Sequence, residues 1–122
     1  MMISEELNGV LNKAINFAKA KRHEYITIEH VFLALLTNDD CIEIIKHMSL
    51  NLNVLKSELH QYIVTNYEPL DGNFDFRPAE TVALNRVIDS MLERVKSSEK
   101  KMAEVSDMLA AILEEEQSFS AF

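Results

Sequence analysis

The chain has 122 residues, 48% of them hydrophobic, and a net charge of −8. That is enough for one domain with a proper core. It is too acidic for nucleic acid or an anionic membrane, which are met by clustered Lys and Arg. Two glycines and two prolines leave little material for tight turns or a multi-stranded sheet, and the abundance of Leu, Ile, Ala, Glu and Lys favours helices. The fold class expected is all-α. A lone cysteine, Cys41, builds no disulfide framework and suits a reducing compartment. No apolar run approaches the roughly 18 residues of a membrane span, and the acidic N-terminus lacks a signal-peptide pattern. A cytoplasmic setting is expected.

In chain order, Ser4 is a candidate N-cap, with Glu5 and Glu6 in the first turn where the helix dipole favours acids. Leu7, Val10, Leu11, Ala14, Phe17 and Ala18 recur at helical spacing and predict an amphipathic helix over about 5–20. Thr27 caps a second helix, about 28–37. Its run Val31 to Leu36 is apolar on every side, so it must be buried. Glu24, Thr27, Glu29 and His30 form a polar mouth expected to reach water. Thr37 to Asp40 ends this helix and caps a short third one, with Ile42, Ile44, Ile45 and Met48 mostly inward. Asn51 caps a fourth, with Leu50 and Leu55 at hydrophobic-staple spacing. Its core stripe is Leu52, Leu55, Leu59, Tyr62 and Ile63.

Residues 66–79 hold both prolines and one of the two glycines, and divide the chain. Phe74 and Phe76 in this loop are expected to dock back onto the core. A fifth helix follows over about 80–96, with Val82, Leu84, Val87, Ile88, Met91, Leu92 and Val95 as its stripe, then a sixth over about 104–115. Glu114 to Glu116 reads as a solvated, fraying helix end that opposes the dipole.

The two halves repeat: an amphipathic helix, a short loop, then an almost wholly apolar helix. Leu11–Ile15 matches Leu84–Ile88 at an offset of 73, and Ile28–Leu36 matches Val105–Leu113 at 77. The second half is therefore expected to carry four extra loop residues. Each half would bury its apolar helix against its twin. Repeat 1 spans about 1–65 and continues through two further helices, whereas repeat 2, about 80–122, lacks them. The tail Gln117 to Phe122 looks cut in mid-element, so a fragment of a longer chain is expected.

His23-Glu24-Tyr25-Ile26-Thr27-Ile28-Glu29-His30, with Leu33-Ala34-Leu35-Leu36 behind it, resembles the first Clp repeat of the Clp unfoldases, closest in form to the ClpA branch. The doubled layout is similar to their N-terminal domain of two Clp repeats, normally eight helices, here without the last two. The resemblance implies a docking module carried above the AAA+ rings of a homo-hexameric unfoldase that feeds substrate proteins to the ClpP peptidase. It also implies a ClpS-type adaptor as partner. The family's adaptor-contacting carboxylates fall on Glu24 and Glu29, and a further contact region falls on Thr81 and Arg86. Glu104 stands where the family usually has a capping Thr, and Ser106 is the expected substitute.

The residues point to no catalysis. There is no GxxxxGK[ST], and Gly9 and Gly72 alone cannot build a phosphate cradle. ATP hydrolysis therefore belongs to another part of the parent protein, and no cofactor is expected in this chain. The histidines, spaced by 7, 17 and 13, form no HExxH and no adjacent-turn pair. Cys41 is expected to be a buried, inert thiol. A free-standing Clp-repeat regulator or scaffold is the alternative, separated by whether a P-loop follows downstream. A small helical enzyme or metal-carboxylate protein is a third reading, which stoichiometric metal and a metal-dependent turnover would revive.

Overall fold

The computed structural model describes residues 2–115. Its helices are α1 (Glu5–Ala20), α2 (Ile28–Leu35), α3 (Asp39–His47), α4 (Leu52–Asn66), α5 (Val82–Ser97) and α6 (Val105–Leu113). Side-chain oxygens of Ser4, Thr27, Asn38, Asn51 and Thr81 cap the first five, each accepting the backbone N–H three residues on. Glu104 is the N-cap of α6, and its N–H donates to the Asp107 carboxylate at 2.8 Å. Ser106 lies inside the helix, so it is not the cap expected of it.

Four two-residue strands accompany the helices: β1 (Met2–Ile3), β2 (Tyr25–Ile26), β3 (Ala79–Glu80) and β4 (Met102–Ala103). They pair in parallel, β1 with β4 and β2 with β3. Each repeat thus reads strand–helix–strand–helix, and each gives its leading strand to the inner strand of the other. The equivalence extends to single bonds: Ser4 N–H donates to Ala103 O at 2.9 Å, and Thr81 N–H to Ile26 O at 3.2 Å. Two-residue strands are too short for any periodicity to announce them.

The strands also correct the register of the repeat. Every paired element is offset by 77 residues, from Glu5 to Val82 and from Ile28 to Val105. Both first helices have 16 residues. Buried Leu7, Val10, Ala14 and Ala18 correspond to buried Leu84, Val87, Met91 and Val95. The offset of 73 was one helical turn short, and four residues return nearly the same face. There are no extra loop residues in the second half. α2 and α6 lie together at the centre, and α1 reaches α6 as α5 reaches α2.

The chain has few glycines to spend on helix ends. Arg22, Ser49 and Glu99 take left-handed conformations, with φ of 56°, 60° and 64°. Each closes a helix with paired reverse bonds; His23 N–H to Ala18 O and Arg22 N–H to Lys19 O are one such pair. A non-glycine residue here costs about 1 kcal/mol. Three apolar positions depart from the expected stripes. Val82 at the first turn of α5 is 80% exposed, Met48 48% and Leu50 45%. Helix ends and corners lack a neighbouring element to cover them, so Leu50 forms no buried staple.

Candidate docking site

The mouth of α2 is built by the turn that follows α1. Only Glu24 and Tyr25 are exposed there; His23, Thr27, Glu29 and His30 are buried. The polar end of this helix therefore faces inward. Glu29, expected at the surface, is 4% exposed. It occupies the first turn of α2, where the helix dipole favours a carboxylate, and its charge bears on the Tyr67 phenol, which burial and Glu29 push up to about 12.

His23 and His30 form a buried pair, Nδ1 to Nε2 at 2.9 Å. Thr27 N–H donates to His30 Nδ1 at 3.1 Å, and the Thr27 hydroxyl lies 2.7 Å from the same nitrogen. That fixes Nδ1 as an acceptor, so the His30 proton sits on Nε2 and is donated to His23 Nδ1. Burial and then the neighbouring His23 lower His30 to about 4. Burial and Lys21 also lower His23. The rings of Phe17 and Tyr67 enclose the pair, His30 lying 6.0 and 5.7 Å from them. A spacing of seven residues across a turn carries no signal of this contact.

Thr81 and Arg86 belong to the facing repeat. The β2–β3 ladder joins its start to the mouth: Ala79 N–H donates to Glu24 O at 2.9 Å, and Thr81 N–H to Ile26 O. Glu24 and Thr81 thus sit at opposite ends of one seam, about 10 Å apart at strand rise. Thr81 is also the cap of α5. Arg86 is bound to Glu115 at 3.3 Å, so its charge is already engaged. Glu114 likewise pairs with Arg94. Of the acids expected to be a solvated helix end, Glu114 is exposed as expected and Glu115 is largely covered, and both pair with arginines of α5. Glu116 and the tail to Phe122 lie outside the described residues.

The segment Tyr67–Pro78 between α4 and β3 is a strap fastened to Arg22. Leu70 N–H donates to Arg22 O at 2.7 Å, Arg22 Nε to Leu70 O at 3.1 Å, and Nη1 to Phe74 O at 3.3 Å. The guanidinium lies over both Phe74 and Phe76, 5.2 and 5.1 Å from their ring centres, and the two rings meet edge to face at 6.0 Å. Phe74 is 54% exposed, so these rings clamp an arginine rather than enter the core, a cation–π arrangement. Cys41 is wholly buried, its thiol pushed up to about 11 by burial and by Asp40 and Glu6, which leaves it inert.

Beside the seam, α1 and α5 enclose a groove of about 600 Å³. Leu11, Ile15, Leu84 and Ile88 line it, together with Arg77 and Pro78 at the strap's end. Two similar helix faces lined up across the pseudo-two-fold axis make this groove. Sequence periodicity marks such residues as core and gives no sign that they line a cleft. Among the described residues, no helix is long and apolar enough to cross a membrane.

Residues 2–122 match the Clp repeat (R) N-terminal domain family. The chain is 32% identical over 120 residues to a ClpA homolog protein of Fuscovulum blasticum, covering 98% of this chain and 15% of that protein. It thus spans about one-seventh of that relative's length. Among solved structures, the Hsp104 N-terminal domain of Candida albicans has a TM-score of 0.80 at 13% identity, over 94% of this chain and 75% of that one. The ClpV N-domain of Vibrio cholerae has a TM-score of 0.76 at 18% identity, over 91% and 66%. The interlocked repeats, the buried α2–α6 centre and the match along the described chain agree: this chain belongs to the Clp repeat N-terminal domain family.

Proposed function

We infer that this chain is the N-terminal docking module of a ClpA-type AAA+ unfoldase and carries no reaction of its own. Its partners are a ClpS-type adaptor and substrate proteins. The parent chain forms a homo-hexamer, hydrolyses ATP elsewhere in its sequence and delivers substrates to ClpP in the cytoplasm. The likeness to a ClpA homolog, of which this chain is a small part, supports that assignment. A ClpV N-domain solved in complex with a VipB peptide supports peptide docking as a use of the fold.

The geometric observation that carries the reading is the β2–β3 seam. It holds the exposed carboxylate of Glu24 on a backbone bonded to both repeats. A charge on a rigid rim meets a basic partner group with little ordering cost. Glu29 supports the site from beneath, as a buried negative charge at the mouth rather than a surface ligand. Thr81 fixes the far end of the seam. Arg86 contributes after exchanging Glu115 for a partner carboxylate.

Titration with the ClpS-type adaptor tests this. Glu24→Lys is expected to weaken binding about tenfold or more. Glu29→Gln removes the buried charge without placing a lysine in the core, and is expected to weaken it by less. Unchanged affinity in both variants, with helical content intact, overturns the site.

A further inference from the structure

We propose that His23 and His30 act as a positioning pair for the docking mouth, a lock that holds it shut while both are neutral and releases it when one takes up a proton. The proposal rests on the docking reading above for its use, though not for its test. The geometry of the lock is asymmetric. The single lone pair of His30 Nδ1 faces the Thr27 N–H at 3.1 Å, and the Nε2–H is donated to His23 Nδ1 at 2.9 Å. Every ring nitrogen in this chain of bonds has one permitted role. A proton added at His30 Nδ1 turns a donor against the Thr27 N–H. A proton added at His23 Nδ1 sets it against the His30 Nε2–H.

The groups around the pair decide whether charge can be accepted in place. From α1 comes Phe17, and beyond its end Lys21, whose positive charge opposes protonation. From α4 and its end come His60, tilted against Phe17 at 6.3 Å, and the rings of Tyr62 and Tyr67. On α2 itself stands Glu29, with Glu24 in the turn before β2. No carboxylate is bonded to either ring among the described residues, so an imidazolium formed here gains no direct partner and stays buried. The open mouth solvates it. Since the same turn carries Glu24 and its end carries Thr27, release of the lock frees both the seam and the N-cap of α2.

The equivalent turn of the second repeat is the internal control. At an offset of 77, Lys100 and Asp107 stand where His23 and His30 do, bonded to each other at 2.6 Å. That pair is a salt bridge and holds through the range in which histidine titrates.

Amide hydrogen exchange along the chain, corrected for intrinsic rates, together with imidazole ¹⁵N shifts, tests the proposal without any partner. Between pH 7 and pH 5, protection of Thr27, His30 and Val31 is expected to fall about tenfold or more, while Glu104, Asp107 and Met108 change little. The shifts are expected to show His30 protonated at Nε2 alone at pH 7. His23→Asn keeps an acceptor near the Nδ1 position and leaves only His30 to titrate, so it should retain the pH 7 protection and part of the acid response. Adding His30→Gln removes the second titrating ring and should abolish the response. Equal loss at both turns, no loss at either, or a His23→Asn/His30→Gln double variant that still opens with acid overturns the lock. Adaptor binding that survives an opened mouth would leave the lock standing and count against the docking site.

Discussion

The mouths of α2 and α6 are built on the same backbone and use different chemistry. Both follow a helix closed by a left-handed residue, a two-residue strand and a cap, 77 positions apart. In the first repeat the polar groups are turned inward: His23, Thr27, Glu29 and His30 are all buried. In the second, Lys100, Glu104 and Asp107 pair at the surface. A surface pair near water contributes little stability, whereas an inward network is rigid and costly to disturb. The comparison teaches that the fold needs only the cap and strand at this place. The buried network belongs to the first repeat alone among the described residues.

The core that the two mouths share gives the largest effect. Phe32→Ala should cost about 3–5 kcal/mol and Leu109→Ala, its counterpart, about 2–5 kcal/mol. In urea each is expected to move a single transition with an unchanged slope, because the repeats exchange strands. A second transition in either variant would mean that the repeats are separable.

Acid distinguishes the mouths next. His30 has a folded value of about 4 against about 6.5 for an unfolded histidine, so the unfolded chain binds this proton more tightly. Its contribution is fully present above pH 6.5, is lost as pH falls through that value, and levels off below about 4. The loss is of order 3 kcal/mol. Denaturation at pH 7 and pH 4.5, in the parent and in His30→Gln, checks it through the flatter profile of the variant.

Capping comes third. Thr27→Ala removes both a cap and a partner of His30 and should cost about 1–2 kcal/mol. Glu104→Ala leaves the Glu104 N–H to Asp107 bond intact and should cost about 0.5 kcal/mol or less. Equal costs would erase the distinction between the mouths. The smallest effect lies at the left-handed residues. Glu99→Gly should stabilise by roughly 0.5–1 kcal/mol, whereas Arg22→Gly gains the same backbone relief and loses the strap clamp, a net destabilisation of about 1 kcal/mol. Thermal unfolding of the two variants reads the opposite signs.

Much of the frame was legible in the residues. Helical periodicity located six helices, Ser4, Thr27 and Asn51 announced three starts, and Thr37 to Asp40 bracketed a fourth, because caps and amphipathic stripes are local. The repeat was legible too, although matching by apolar residues alone slipped by one turn. The burial of Glu29, the His23–His30 bond and the Phe74–Arg22–Phe76 clamp were not legible. Each joins segments whose approach is decided by packing elsewhere, and spacing in the chain carries no record of it. The seam was missed for a related reason: two residues of strand have no period, and their partner lies more than 50 positions away.

Each repeat completes its neighbour's ladder, and the two are tethered only through α3, α4 and the strap Tyr67–Pro78. A strap shortened until it cannot span from α4 to β3 would still leave every ladder partner available, now on another copy. The same hydrogen bonds would then close between two chains, giving a domain-swapped dimer whose two halves each look like the monomer. The 12 strap residues therefore not only help to line the groove but also set whether this domain is built from one molecule or from two.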